Sequence, residues 1–306
     1  MSGMQAKTIR KALKGKINHW LRSIKDDKVR ELAEKNTIVT GGCITSMLLG
    51  EEINDFDVYF RDHETTLAIA NYYVDQFHNR KKSQGGIPVS ITVEDLNGQV
   101  SIKVKSAGVA SVEQTDNYDY FESHDSDDET ENYVMNAMAP VLNQTMERQS
   151  KKEYEAVFLS TNAITLTNQI QLVLRFYGTP EEIHKNYDFV HCTNYYDHAN
   201  SELVLHPKAL ECILSRTLIY SGSLYPIASV IRTRKFIQRG WKISAGQYLK
   251  MVMQISELDL QNVTVLQDQL TGVDAAYFSE IISKIQSDNP EKIDSSYLAK
   301  IIDEMF

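Results

Sequence analysis

Two aspartates separated by one residue, Asp55-Phe56-Asp57, stand in a run where Phe56, Val58 and Phe60 alternate with Asp55, Asp57 and Tyr59. Period-two alternation predicts a β-strand. Residues i and i+2 of a strand point to one side, so the two carboxylates share a face. Two carboxylates so placed repel and are costly to bury as a pair. A divalent cation removes that cost, and Mg²⁺ (or Mn²⁺) favours a few carboxylate oxygens completed by water and substrate phosphates. The chemistry this suits is phosphoryl transfer, with metal aligning an attacking hydroxyl on an α-phosphate and stabilising the pyrophosphate that leaves. Upstream, Gly41-Gly42 lets the backbone come close to triphosphate oxygens. Cys43 to Leu49 then reads as a short helix closed by Gly50, and its N-terminal N–H groups favour anions. The plainer alternative is an ordinary strand with two surface aspartates.

These residues need a frame. Thr37-Ile38-Val39-Thr40 is a β-rich run leading into the glycines, which predicts a unit of strand, double glycine, short helix and strand. Residues 5–34 read as one helix: Ile9, Leu13, Ile17, Trp20, Leu21 and Ile24 recur at helical spacing, opposite a solvated face of Lys and Arg. Residues 64–80 read as a second helix, and Gly85-Gly86 as a turn. Strand-like runs Pro88–Val93 and Gln99–Val104 flank Asn97-Gly98, a hairpin signal. A second hairpin joins Ala156–Leu159 to Ala163–Leu166. Gln169–Phe176 reads as a strand with Ile170, Leu172 and Leu174 on one face. Thr179 and Pro180 suit a helix start, and Tyr187–His191 reads as a last strand. From Pro207 the pattern turns helical, at 207–220, 225–240, 244–256 and twice after 274. The order is a mixed α/β head and then a helical tail.

The chain has 306 residues, 42% hydrophobic and 24% charged, ordinary for a globular protein of more than one domain. No apolar run approaches the roughly 20 residues of a membrane helix. The basic N-terminal stretch has no apolar core ending in a cleavage site, so no secretory signal is read. Cys43, Cys192 and Cys212 are widely spaced and form neither a CxxC pair nor a zinc pattern, which suits a reducing cytoplasm. The net charge of −9 argues against a general nucleic-acid coat protein. The acid is concentrated between Glu113 and Glu131, where no Lys or Arg occurs, and the rest of the chain is close to neutral. Residues 110–150 are read as an insertion whose acidic part could serve a protein partner.

The stretch from Gly41 to Phe60 resembles the head of the tRNA nucleotidyltransferase and poly(A) polymerase family of the polymerase-β superfamily. That family places a Gly-Gly turn, a short helix ending Leu-Leu-X-Gly, and Asp-h-Asp in order. Gly41, Gly42, Leu48, Leu49, Gly50, Asp55 and Asp57 occupy those places. Lys185-Asn186-Tyr187-Asp188-Phe189 looks like the family's Arg-Arg-Asp-Phe segment, which contacts the incoming nucleotide. Residues 231–243 resemble its neck helix, and Arg232, Lys235 and Arg239 at i, i+3 and i+7 form a basic face that could grip triphosphate or RNA. Their plainer readings are a strand edge and a solvated face. His184 and His191 read as structural residues.

The resemblance implies an α+β fold: a nucleotidyltransferase head with a mixed central sheet and flanking helices, then a helical C-terminal domain. The boundaries expected are 1–34 for an N-terminal helical segment, 35–205 for the head with its acidic insertion, and 206–306 for the neck and C-terminal part. It implies transfer of NMP from an NTP to an acceptor hydroxyl, with Asp55 and Asp57 as catalytic metal ligands for Mg²⁺. Nucleotide contacts would fall to Gly41, Gly42, Ser46, Lys185, Asp188, Arg232, Lys235 and Arg239. The partners implied are an NTP and an RNA acceptor, most simply a tRNA 3′ end. Two other readings stay open: a toxin-type or antibiotic-modifying member acting on protein, tRNA or a small molecule, and a non-catalytic binding module. Thr45 and Ser46 stand where the family has Arg-Asp. No Glu-Asp-x-x-Arg base-reading segment precedes Arg232. Gln169 and Gln171 stand where many members carry a third carboxylate, leaving Asp188 or no residue for that role.

Overall fold

The computed structural model describes residues 3–83, 91–96, 98–103, 108–110 and 154–260, with isolated positions from 262 to 300. They fall into two compact units. One comprises the described residues up to His184 together with Cys192–His206. The other comprises Lys185–His191 and the residues from Pro207 onward. The acidic segment 113–131, the Gly85-Gly86 turn and most of the chain beyond 260 lie outside the described residues.

The first unit is α+β, as the sequence leads one to expect. Its helices are α1 (Ala6–Ser23), α2 (Asp27–Asn36), α3 (Gly42–Leu49), α4 (His63–Ser83) and α5 (Pro180–His184). Its strands are β1 (Thr37–Thr40), β2 (Phe56–Phe60), β3 (Thr92–Leu96), β4 (Gln99–Lys103), β5 (Gly108–Ala110), β6 (Ala156–Ser160), β7 (Ala163–Leu166), β8 (Ile170–Val173), β9 (Tyr195–Asp197) and β10 (Glu202–Val204). Eight of them form one sheet in the order β10-β9-β1-β2-β8-β7-β6-β5. It is mixed because β2 pairs β8 in parallel while the other neighbours run antiparallel. β-Branched residues dominate β1, and all four are buried, as suits a central strand.

The alternation in β2 decides which face becomes core. Phe56, Val58 and Phe60 join Val39, Leu172, Ile9, Leu13, Ile17, Trp20, Tyr73 and Phe77 in one buried cluster. α1 and α4 supply the helical part of that cluster. Inside it the Trp20 indole N–H donates to the Tyr73 hydroxyl at 2.8 Å, so neither polar atom is stranded. Each such fully buried apolar side chain contributes roughly 1.5–3 kcal/mol. Asp57 and its neighbours on the opposite pleat are left for the other face.

Two expectations are corrected. The single helix over 5–34 is two: α1 ends at Ser23, and α2 begins at Asp27. Asp26 caps α2, its carboxylate accepting from Val29 N–H at 3.0 Å, and the Arg30 guanidinium donates to the Ile24 carbonyl at 3.1 Å. A side chain that caps at Asp26 competes with helix continuation. Tyr187–His191 is not a strand: Phe189 makes one isolated bridge to Tyr220, and Val190–Cys192 is a 3₁₀ turn. The strand beside β1 is instead β9, paired with β10. Each has three residues, too few for an alternating pattern to register.

A hairpin forms about Gly98, with Leu96 opposite Gln99 and Gly98 at φ +80°, but its first strand is Thr92–Leu96, later than the expected Pro88–Val93. Thr179 and Glu182 make a reciprocal cap at the start of α5: Thr179 N–H donates to the Glu182 carboxylate at 2.8 Å, and Glu182 N–H donates to the Thr179 hydroxyl at 3.3 Å.

The second unit contains α6 (Pro207–Ser215), α7 (Pro226–Gln238) and α8 (Ala245–Ile255), with a short parallel pair of β11 (Thr217–Leu218) and β12 (Lys242–Ile243). Phe189, His191, Phe236 and Trp241 stack within it, the His191 ring lying 4.3 Å from that of Trp241 and 4.8 Å from that of Phe236. Tyr220 and Ser223 are tied to α8 through Gln254.

Candidate active site

β1 delivers the chain to Gly41, whose backbone at φ +97° and ψ −154° is open only to glycine. A Cβ built there would lie 2.5 Å from Asp57 Oδ2. The turn is therefore packed directly on one carboxylate of the Asp55-Phe56-Asp57 pair. Gly42 is the first residue of α3, and a Cβ at that position meets nothing within 4 Å. Gly41, the N-cap of α3, has no side chain of its own to cap the helix, whose positive end lies beside Asp57. Gly50 at φ +69° ends α3, its N–H donating to the Met47 carbonyl at 3.3 Å.

Asp55 lies one residue before β2, and Asp57 lies within it. Both are half-buried. Their charge is felt in the first turn of α3: burial first, then the Asp57 and Asp55 carboxylates, push the Cys43 thiol well above its usual range. The strand register supplies the neighbours of Asp57. Thr40 of β1 stands opposite it on one side and Gln171 of β8 on the other. The position beside Asp57 that could hold a third carboxylate thus carries a buried amide.

A histidine unmarked by its sequence context is placed near these residues. His184 Nε2 lies 2.8 Å from the Thr40 hydroxyl, which also donates to the Asn194 carbonyl at 2.9 Å. With that hydroxyl donating to Asn194, the histidine is the donor to Thr40. Burial, then the neighbouring His206, lower the His184 pKa to about 4, against an opposing pull from Glu181. The ring is neutral at pH 7. No local sequence signal marks this contact, because residues 40 and 184 meet only through the sheet.

Ser46 lies buried in the second turn of α3 beside Thr45, further from the helix start than Gly42 and Cys43. The other expected contacts belong to the second unit. Asp188 is buried and forms an ion pair with Arg232 on α7. Lys235 lies on the same helix, whereas Arg239 is its C-cap, past the last helical residue, so the predicted three-residue basic face is two residues long. The Arg239 carbonyl accepts from Arg216 at 3.0 Å. Lys185 is exposed. The structure thus brings together Gly41, Gly42, Asp55 and Asp57 in one unit, and pairs Asp188 with Arg232 in the other. His191 is a core residue whose burial, then the charge of Arg239, lower its pKa to about 3.

Among the described residues no group of three or more His, Cys, Asp or Glu side chains could hold a metal ion. Asp55 and Asp57 are two, which fits a hard cation that takes one or two carboxylates and completes its shell with phosphate and water. It does not fit a closed structural site. Among the described residues no helix is long and apolar enough to cross a membrane.

Fold and site define the class: a mixed α+β head in which a glycine turn and the start of a short helix meet a carboxylate pair. The chain belongs to the Gabija anti-defense 2 family, whose model matches residues 11–216. The protein named Gabija anti-defense 2 from Bacillus phage SPbetaL7 is 21% identical over 250 residues, 81% of this chain and 44% of that protein. The chain therefore spans less than half the length of that curated relative. Among solved structures it is similar to a Thermotoga maritima CCA-adding enzyme complexed with tRNA, with TM-score 0.39, 11% identity, and coverage of 78% of this chain and 45% of that one. It is also similar to the Bacillus stearothermophilus CCA-adding enzyme in complex with CTP, with TM-score 0.36, 11% identity, and coverage of 85% and 50%.

Proposed function

We propose that the chain transfers a nucleoside monophosphate from an NTP to a hydroxyl of an RNA acceptor, and that this reaction serves to counter Gabija defence. The observation that carries this reading is the packing of the Gly41 turn against Asp57 at the start of α3. That arrangement sets backbone N–H groups and a helix dipole beside a carboxylate pair. It suits a triphosphate with its counter-cation. Asp55 and Asp57 would hold Mg²⁺ or Mn²⁺. When bound, the cation would supply charge neutralisation on the phosphates and a fixed line between the attacking and leaving oxygens. Gly41 and Gly42 would admit the phosphates close to the backbone, with Ser46 one turn behind them. The hydroxyl oxygen bonds to the α-phosphorus as its proton passes to water, the bond to the bridging oxygen breaks, and pyrophosphate leaves with that bond's electron pair. In the second unit, Arg232 is oriented by Asp188, and with Lys235 it offers two cations to phosphate or RNA backbone. Lys185 and Arg239 are the weaker candidates there. A tRNA 3′ end is the acceptor first to be tested, by resemblance. The anti-defence setting comes from the family's description.

One observation favours a second reading. Asp57 faces Gln171 across β2 and β8, where a carboxylate would strengthen metal binding. A non-catalytic module that keeps the fold and binds a partner would tolerate that amide.

The test uses the purified chain with Mg²⁺ or Mn²⁺, each α-labelled NTP in turn, and separate pools of tRNA, total RNA and host protein. Label is expected in RNA with wild type and not with the Asp55→Asn/Asp57→Asn double variant. Label confined to protein would move the acceptor to the toxin-type reading. If the double variant restored phage plating on a Gabija-bearing host as well as wild type, the catalytic reading would fail in favour of the binding module.

A further inference from the structure

The first acidic residue of the chain is Asp26, and every charged residue before it is Lys or Arg, in a protein whose net charge is −9. α1 carries this charge. Its inner face is buried through Ile9, Leu13, Ile17 and Trp20. A second face lines an open groove of about 840 Å³ whose walls include Lys11, Gly15, Lys16, His19, Tyr154 and Asn168. Gly15 adds no side chain to the groove, and a Cβ there would meet nothing within 4 Å, so the space above it is open.

The groove is built rather than incidental. Lys16 Nζ donates to the Asn168 carbonyl at 2.5 Å and lies 4.7 Å from the centre of the Phe56 ring and 5.9 Å from that of Tyr154. A half-buried ammonium held over two rings is partly stripped of water, and burial lowers its pKa accordingly. An anion entering the groove would restore what that ammonium has lost. The exposed ring of His19 stands edge-on to Tyr154, with centroids 5.3 Å apart, and its Nδ1 is 3.3 Å from the Tyr154 hydroxyl. Lysines set beside an anchored aromatic ring match what single-stranded nucleic acid requires, cations for the phosphates and a flat face for a base.

We propose that this groove binds single-stranded nucleic acid, with phosphates on Lys11 and Lys16 and a base against His19. Asn168 is followed by Gln169, whose carbonyl accepts from Phe56 N–H at 2.8 Å and whose side-chain amide donates to the Ile53 carbonyl at 3.0 Å. The groove therefore lies beside the start of β2, on the Phe56 face of that strand. Binding there does not depend on the proposed reaction.

The test is fluorescence anisotropy of the full chain with labelled single-stranded RNA and DNA of about twelve nucleotides, in EDTA and about 50 mM salt. Binding is expected with wild type and equally with the Asp55→Asn/Asp57→Asn double variant, which separates this inference from the catalytic one. Lys11→Glu should weaken binding about tenfold or more and reduce the slope of log K against log salt by at least about 0.7, the share of one lost phosphate contact. Gly15→Leu fills the groove without changing charge and should weaken binding by a similar factor with the slope unchanged. Circular dichroism confirms that each variant is folded. Absence of binding by wild type, or unchanged affinity in either folded variant, overturns the proposal. So does displacement of the oligonucleotide by poly-glutamate at lower concentration than by unlabelled oligonucleotide, which would mark an acidic protein as the occupant.

Discussion

Adjacent glycines in one turn have opposite tolerance for a side chain. Gly41 combines φ +97° with a Cβ position 2.5 Å from Asp57 Oδ2, whereas Gly42 is a helical residue with open space around it. Gly41→Ala is expected to destabilise the fold by about 1–3 kcal/mol through backbone strain, with further loss from displacement of Asp57. Gly42→Ala is expected to be neutral or to stabilise α3 by up to about 1 kcal/mol. Urea unfolding of the two variants checks the contrast, and only Gly41→Ala should also lose any Mn²⁺-dependent rise in melting temperature. His184 gives a prediction of pH dependence. Its folded pKa of about 4 lies below the ordinary value of 6.5, so the unfolded chain binds the proton first. The stability tied to its neutral form is present above pH 6.5 and is lost as pH falls from there towards 4. His184→Gln should reduce the protons taken up on unfolding at pH 5 by about one. Linked measurements of unfolding free energy at neighbouring pH values give that number directly.

Local chemistry decides where elements begin and end more firmly than hydrophobic periodicity does. The stripe from Ile9 to Ile24 reads as part of a single helix over 5–34, yet the chain breaks at Asp26 because the carboxylate binds Val29 N–H. Asp26→Ala is expected to cost about 0.5–2 kcal/mol, the range for a lost helix N-cap. Chemical denaturation with unchanged m-value would show that the loss is one of stability and not of compactness. α5 is readable from Thr179 and Pro180 because its cap is local, made within four residues. β9 and β10 are not, since three-residue strands carry too little pattern. They exist because β1 offers a free edge on the side away from β2, and Asp197 closes their turn through Asn200.

Charge is unevenly spread over the whole molecule, and this bears on any polyanionic partner. The acid between Glu113 and Glu131 equals the whole net charge of −9, while the first 25 residues carry only positive charge. Replacing the acidic side chains of 113–131 by Asn and Gln should tighten oligonucleotide binding at low salt by removing long-range repulsion. The gain should fade above about 0.15 M salt, where the Debye length falls to roughly 8 Å. Anisotropy titrations at two salt concentrations check it. What the sequence alone determined about this protein is set by neighbours along the chain: the glycine turn, the short helix, the i, i+2 carboxylates and the α+β class. Their information is local, carried by φ preference, side-chain period and spacing. What only the tertiary structure decided is set by register and packing between distant segments. Gln171 beside Asp57, His184 on Thr40, Asp188 paired with Arg232 and Lys16 over Phe56 all join residues far apart in sequence. Strand pairing and helix packing choose such neighbours by burial of the whole core, and no short window of sequence contains that sum.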